Sequence, residues 1–170
     1  DKRQPKSVVY VAFGSTGILL EKEIREVAAA LEVVGQPFLW AICEGSPMES
    51  LPHHFRSGCL AEDKGLIVSW APQRQVLGHE SVGVFLSHCG WNSVLESLWN
   101  GVPIVGCPRM GEQNTNMWLL QEWGVGVPGV DTMMGGIGSV RTTDLVRALE
   151  DVMMGAKVDV ERSRRETLRE

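Results

Sequence analysis

The sequence predicts an α/β fold: a parallel sheet of about six strands with helices on both faces. Short apolar runs rich in β-branched residues alternate along the chain with stretches whose apolar residues recur at helical spacing. The runs are apolar throughout rather than alternating with polar residues, the pattern of strands covered on both faces, as parallel sheets are. A length of 170 residues fits one domain.

The first strand is expected at 7–13, ending in the loop Gly14-Ser15-Thr16-Gly17. Ile24, Val27, Ala28, Leu31 and Val34 then share one face of a helix over 20–35, closed by Gly35. Residues 38–42 predict a second strand. Residues 44–64, rich in Gly, Pro, Ser and charge, read as a surface loop. Strands follow at 66–69, 83–86 and 102–106, with a helix over 91–100 that Gly101 ends. A helix at 112–123 precedes a short sixth strand at 125–127. Residues 128–138 are a glycine-rich loop. The last clear helix is 142–153, with Thr142 or Thr143 as its N-cap and Leu145, Val146 and Leu149 facing inward. From residue 141 on, charges of both signs predict a solvated helical tail.

Sixteen Lys and Arg against 21 Asp and Glu give a formal charge of −5, which disfavours nucleic acid as a partner. No apolar run approaches the ~20 residues of a membrane span. The polar start Asp1-Lys2-Arg3-Gln4-Pro5 lacks an initiator Met and a signal-peptide core, so the chain reads as a piece of something longer. Cys43, Cys59, Cys89 and Cys107 form no C-x-x-C pair and are expected as free thiols in a reducing cytoplasm. Gly124-Val-Gly126-Val-Pro128-Gly129 matches the glycine spacing of a dinucleotide loop. It follows a helix rather than a strand, however, and Pro128 opposes a helix behind it, so no nicotinamide site is expected. Neither a phosphate-loop lysine motif nor a D-x-D metal motif is present.

The informative stretch runs from Trp70 to Gln113. His88-Cys89-Gly90 is a tight turn between the fourth strand and the helix from Trp91. Its free N–H groups at 91–93 face the carboxyl edge of the sheet, where an anion is favoured. Gly90 permits close approach, and Asn92, Ser93 and His88 add polar groups, unless Asn92 and Ser93 only cap the helix. Glu96, one turn on, suits a vicinal diol, or else is a solvated charge. Trp70 ends the third strand, where an indole can stack on a base or belong to the core. Trp40, Trp99, Trp118 and Trp123 read as core. Pro72 stiffens the turn and Gln73 presents an amide. Glu112 and Gln113 suit a polyhydroxyl ligand, although an acid at a helix start needs no ligand.

Trp70, Pro72-Gln73, His79, the run His88-Cys89-Gly90-Trp91-Asn92-Ser93, Glu96, Gly101-Val102-Pro103, Pro108 and Gln113 together resemble the signature box of plant secondary-product UDP-glycosyltransferases. Residues 7–15 are similar to the family's first strand and loop after its interdomain linker. The resemblance implies the carboxyl-terminal half of a GT-B fold, a Rossmann-like domain over 1–170 that binds the UDP-sugar donor, without the acceptor-binding amino-terminal domain. It further implies that Trp70 stacks on uracil beside Ala71, that Gln73 helps hold the nucleoside, and that Glu96 binds the ribose. His88, Gly90, the Trp91 amide, Asn92, Ser93 and Ser15 would hold the diphosphate. Glu112 and Gln113 would hold the sugar, with Gln113 similar to what glucose users carry. The implied enzyme is an inverting, metal-free hexosyltransferase acting on hydroxyls of small plant metabolites, monomeric, cytoplasmic and off the membrane. Its base would lie in the other domain, so no catalytic residue is assigned here. A stand-alone UDP-sugar binding module is the alternative.

Overall fold

Val8–Ala12 are apolar at five successive positions, and all five are buried in strand β1. In the computed structural model, which describes residues 3–15, 17–61, 64–130 and 139–155, β1 lies inside a six-stranded sheet. On one side it pairs with β2 (Phe38–Ala41), which pairs with β3 (Gly65–Val68). On the other lie β4 (Val82–Ser87), β5 (Ile104–Gly106) and β6 (Gly126–Pro128) in turn. Every pairing is parallel, and the order is β3-β2-β1-β4-β5-β6. The chain thus works outward from β1 in one direction, then returns to start again at β4. At that reversal the carboxyl ends of β1 and β4 part and leave a crevice, the usual ligand position in such a sheet.

Alternate residues of the strands feed two cores. Val9, Val11, Trp40, Val84 and Leu86 face α1 (Glu21–Val34), α2 (His53–Ala61) and α6 (Thr142–Met153). Tyr10, Phe85 and Ile104 face α3 (Gln73–Leu77), α4 (Trp91–Asn100) and α5 (Gln113–Glu122). The predicted face of α1 is the buried one at Ile24, Val27, Ala28 and Leu31, and its terminal Gly35 takes φ 68. Gly101 closes α4 with the same φ. The left-handed conformation is cheap only without a Cβ.

Four local expectations are corrected. Residues 44–64 are not simply a surface loop: a 3-10 turn over Met48–Ser50 leads into α2, and Leu51 and Phe55 are buried. Phe55 stacks on Phe38 with ring centroids 5.5 Å apart, apolar burial that outweighs the polar composition around it. Residues after Pro72 form the short helix α3 rather than a bare turn. Neither Thr142 nor Thr143 is the N-cap of α6. Arg141 holds that position, and the Thr142 N–H and Oγ1 both donate to Glu26 Oε2 of α1 at 2.6 Å. Of the four tryptophans assigned to the core, Trp40 is fully buried, but Trp99, Trp118 and Trp123 are exposed. The glycine-rich loop from 131 and the tail beyond 155 lie outside the described residues.

Candidate functional site

The crevice at the β1/β4 reversal is a cleft of about 420 Å³. Ala41 and Cys43 at the end of β2 line it, and the rest of its walls come from four places. The loop after β1 gives Gly14 and Ser15, and the end of β3 gives Trp70 and Ala71. The start of α3 gives Gln73, and the turn into α4 gives His88, Gly90, Trp91, Asn92, Ser93 and Glu96. Parallel strands all end at one edge of the sheet, which is why residues so far apart in sequence converge here. Ten of the sequence-predicted positions therefore share one wall-to-wall space. Glu112 and Gln113 do not line it. Glu112 is exposed at the N-cap of α5. Gln113 is buried, and its Oε1 accepts the N–H groups of Arg109 and Met110 at 2.8 and 3.1 Å, which shapes the loop after β5.

The turn into α4 carries the geometry of the site. Cys89 has φ 65, a left-handed conformation rare for a residue with a side chain. Two buried side chains hold it: Ser87 Oγ accepts the Cys89 N–H at 3.1 Å, and Asn116 Nδ2 donates to the Cys89 carbonyl at 2.9 Å. Gly90 then enters as N-cap with no side-chain partner for the first N–H groups of α4. Those groups remain donors at the positive end of a ten-residue helix.

The His88 imidazole lies between two glycines. A Cβ at Gly14 would stand 2.8 Å from His88 Nε2, and one at Gly90 2.5 Å from it. Both glycines are needed because the ring occupies the space a side chain would take. Burial lowers the pKa of His88, the nearby Arg109 guanidinium lowers it further, and Glu112 works in the opposite direction. His88 Nδ1 is buried and finds no hydrogen-bond partner among the described residues, in keeping with a ring that stays neutral.

At the other end, Gln73 Nε2 donates to Ser93 Oγ at 2.9 Å and to Glu96 Oε2 at 2.8 Å. Both amide hydrogens are used inside the protein, so the Gln73 carbonyl and the second Glu96 oxygen remain for a ligand. Tyr10 lies on the floor, stacked on Phe85 with centroids 4.9 Å apart. Burial, and then the Glu96 carboxylate, push its hydroxyl up to about 12, so it stays protonated as a donor. Trp70 is 73% exposed, so it presents its indole to solvent rather than to the core. The cleft thus offers a flat aromatic face, a carboxylate with a fixed orientation, and an anion-favouring turn.

Sequence reasoning passed over Tyr10, Gly14, Ser87, Asn116 and the Arg109–Glu23 pair. Arg109 donates to Glu23 Oε1 at 2.6 Å and to the Ile18 carbonyl at 3.3 Å, tying the loop after β5 to the start of α1. The one sequence signal for Asn116 is its place four residues before Leu120, a polar residue in line with an apolar helix face, which does not reveal its partner; the Arg109–Glu23 pair spans 86 positions and leaves no signal. Among the described residues no group of three or more His, Cys, Asp or Glu side chains is placed to hold a metal ion, and no helix is long and apolar enough to cross a membrane.

Residues 3–162 match the family described as UDP-glucoronosyl and UDP-glucosyl transferase. UDP-glycosyltransferase 74E2 of Arabidopsis thaliana is 44% identical over 158 residues, 92% of this chain and 34% of that protein. Medicago truncatula UGT71G1, solved with UDP-glucose, superposes with a TM-score of 0.85 at 36% identity, over 96% of this chain and 36% of that one. Os79 from O. sativa, solved with UDP, gives 0.81 at 37% identity over 99% and 37%. The chain spans about a third of the length of the relatives it matches.

Proposed function

The chain belongs to the UDP-glycosyltransferase family, and from that premise we propose that it is the donor-binding part of a glycosyltransferase that takes UDP-glucose. The observation that carries the reading is the cleft itself. An exposed indole, a carboxylate held by Gln73 and a helix N-terminus beside an imidazole of lowered pKa all line it. They match in kind the base, the ribose and the diphosphate of a UDP-sugar.

In this reading Trp70 stacks on uracil over Ala71, a contact worth ~1–3 kcal/mol by analogy with nucleobase platforms. Glu96 accepts both ribose hydroxyls while Gln73 holds it in place. The N–H groups of Trp91, Asn92 and Ser93, the Asn92 and Ser93 side chains, His88 and Ser15 take the two phosphates, with Gly90 letting them approach the backbone. Glu112 and the Gln113 amide nitrogen, which lie outside the cleft wall, meet the sugar where it extends past the cleft toward α5; the Gln113 carbonyl is already taken by Arg109 and Met110. The transfer is an inverting displacement at the anomeric carbon. An acceptor hydroxyl loses its proton to a base outside this chain, the new C–O bond forms, and UDP departs with the electron pair. Charge grows on the β-phosphate, and donors already aimed there stabilise it without reorganising, with no metal assigned a step. The acceptor is a small hydroxylated metabolite held by a further part of the enzyme. Free thiols at Cys43, Cys89 and Cys107 favour a reducing compartment, the cytoplasm.

Calorimetric titration of the chain with UDP-glucose, UDP and NAD, without added metal, tests this. Saturable binding of the two uridine nucleotides and none of NAD is the expected result. A folded chain that binds neither uridine nucleotide overturns it.

A further inference from the structure

We propose that Asn116 is a positioning residue for diphosphate binding, which fixes Cys89 in its left-handed conformation and so aims His88 and the first N–H groups of α4 into the cleft; this rests on the reading of that cleft as a UDP-sugar site. Asn116 sits on α5, away from the cleft wall, and is 6% exposed. Its Nδ2 donates to the Cys89 carbonyl at 2.9 Å, while Ser87 Oγ takes the Cys89 N–H at 3.1 Å. A non-glycine residue at φ 65 persists only where its surroundings over-determine it. Here both polar groups of its backbone are gripped by buried side chains. The next residue of α5, Met117, grips the side chain as well, with Sδ 3.8 Å from Cys89 Sγ. The space for that contact comes from Gly106 at the end of β5, where a Cβ would meet Met117 Sδ and stand 2.6 Å from Cys89 Sγ.

Cys89 is the pivot between His88 and Gly90. If its carbonyl is released, the turn can relax toward a right-handed conformation, which swings the imidazole and the start of α4 apart. Trp70 sits at the end of β3, and Glu96, a turn farther along α4, is held from α3 by Gln73, so the nucleoside end keeps an anchor of its own. Loss of Asn116 is therefore felt at the phosphates and not at the nucleoside.

The test compares UDP with uridine by titration, in the unaltered chain and in Asn116→Ala, Asn116→Leu and Ser87→Ala. The expected result is a loss of about tenfold in UDP affinity for either Asn116 variant, and less for Ser87→Ala, with uridine affinity held within about twofold. Equal losses for both ligands, or a UDP-to-uridine ratio that no variant changes, overturn the proposal. Where Asn116→Ala fails to fold, Asn116→Leu, which fills the space without a donor, and Ser87→Ala give the answer. An unaltered chain that binds UDP no better than uridine refutes the diphosphate reading of the cleft before any variant is made.

Discussion

Gln73 and Glu96, 23 positions apart, are joined by a 2.8 Å hydrogen bond in which the amide donates to the carboxylate, and the same nitrogen donates to Ser93 at 2.9 Å. One side chain from α3 thereby sets the orientation of two on α4. A carboxylate fixed before the ligand arrives loses little freedom on binding, so its hydrogen bonds to a diol contribute more of their strength.

Glu96→Ala is therefore expected to weaken UDP binding by roughly tenfold to a hundredfold, the range for hydrogen bonds to a charged group. It should leave binding of the 2′,3′-dideoxy analogue nearly unchanged. Gln73→Ala should give a smaller loss in the same pattern, because it frees the carboxylate without removing it. Equal losses for the two nucleotides would contradict the ribose assignment.

The two glycines beside His88 make a steric prediction. Gly90→Ala puts a methyl 2.5 Å from Nε2, closer than any real contact, so the ring must move. Gly14→Ala adds φ 84 to a 2.8 Å clash. Both variants should weaken UDP binding at least tenfold, and Gly14→Ala should also lower stability by ~1–2 kcal/mol. Titration and urea unfolding separate the two effects. Unchanged UDP affinity in Gly90→Ala would show that the imidazole has no part in binding.

The strands were legible because burial on both faces leaves an unbroken apolar run, and the anion-favouring turn because His88-Cys89-Gly90 interrupts one such run just before a helix. The tryptophans were not. Size suggested that Trp99 faces the core, yet the buried side of α4 is Ser93, Val94 and Ser97, and Ser97 Oγ donates to the Val102 carbonyl at 2.8 Å. Close packing of α4 on the sheet favours small residues, and the large ones turn outward. Helix α2 was hidden because two buried side chains, Leu51 and Phe55, anchor a segment that is otherwise polar. Asn116 and Ser87 were missed because their partner is a backbone group whose strain the sequence does not display.

His88 couples binding to pH. Burial and Arg109 lower its folded pKa, so the unfolded chain holds the proton more tightly. The stability this gives is complete above the unfolded imidazole pKa of ~6.5 and is lost as pH falls through the folded value. A bound diphosphate acts in the opposite sense and favours the charged ring. Binding of UDP-glucose, whose diphosphate is esterified at both ends and does not titrate near neutral pH, should therefore take up a fraction of a proton at about pH 6, seen as a binding heat that depends on the ionisation heat of the buffer. His88→Gln should abolish that dependence. No uptake in the unaltered chain would mean that the ring and the phosphates do not meet.

Glu26 of α1 supplies what the N-terminus of α6 lacks in its own sequence: its Oε2 accepts both the Thr142 N–H and Oγ1 at 2.6 Å. These two hydrogen bonds, side chain first, lower the pKa of Glu26. Their contribution is thus present above the unfolded carboxylate pKa of ~4.3 and is lost as pH falls through the lowered folded value. Thr142→Val removes both Oγ1 bonds, to Oε2 and, at 3.2 Å, to the Glu26 carbonyl, whereas Glu26→Ala removes the two to the carboxylate. By the measured worth of helix caps the costs should lie within ~0.5–2 kcal/mol at neutral pH, with Glu26→Ala the larger. The difference between the unaltered chain and Glu26→Ala should shrink at about pH 3. Urea unfolding at the two pH values reads this directly, and a difference that stays constant with pH would mean the carboxylate is not what holds α6 to α1.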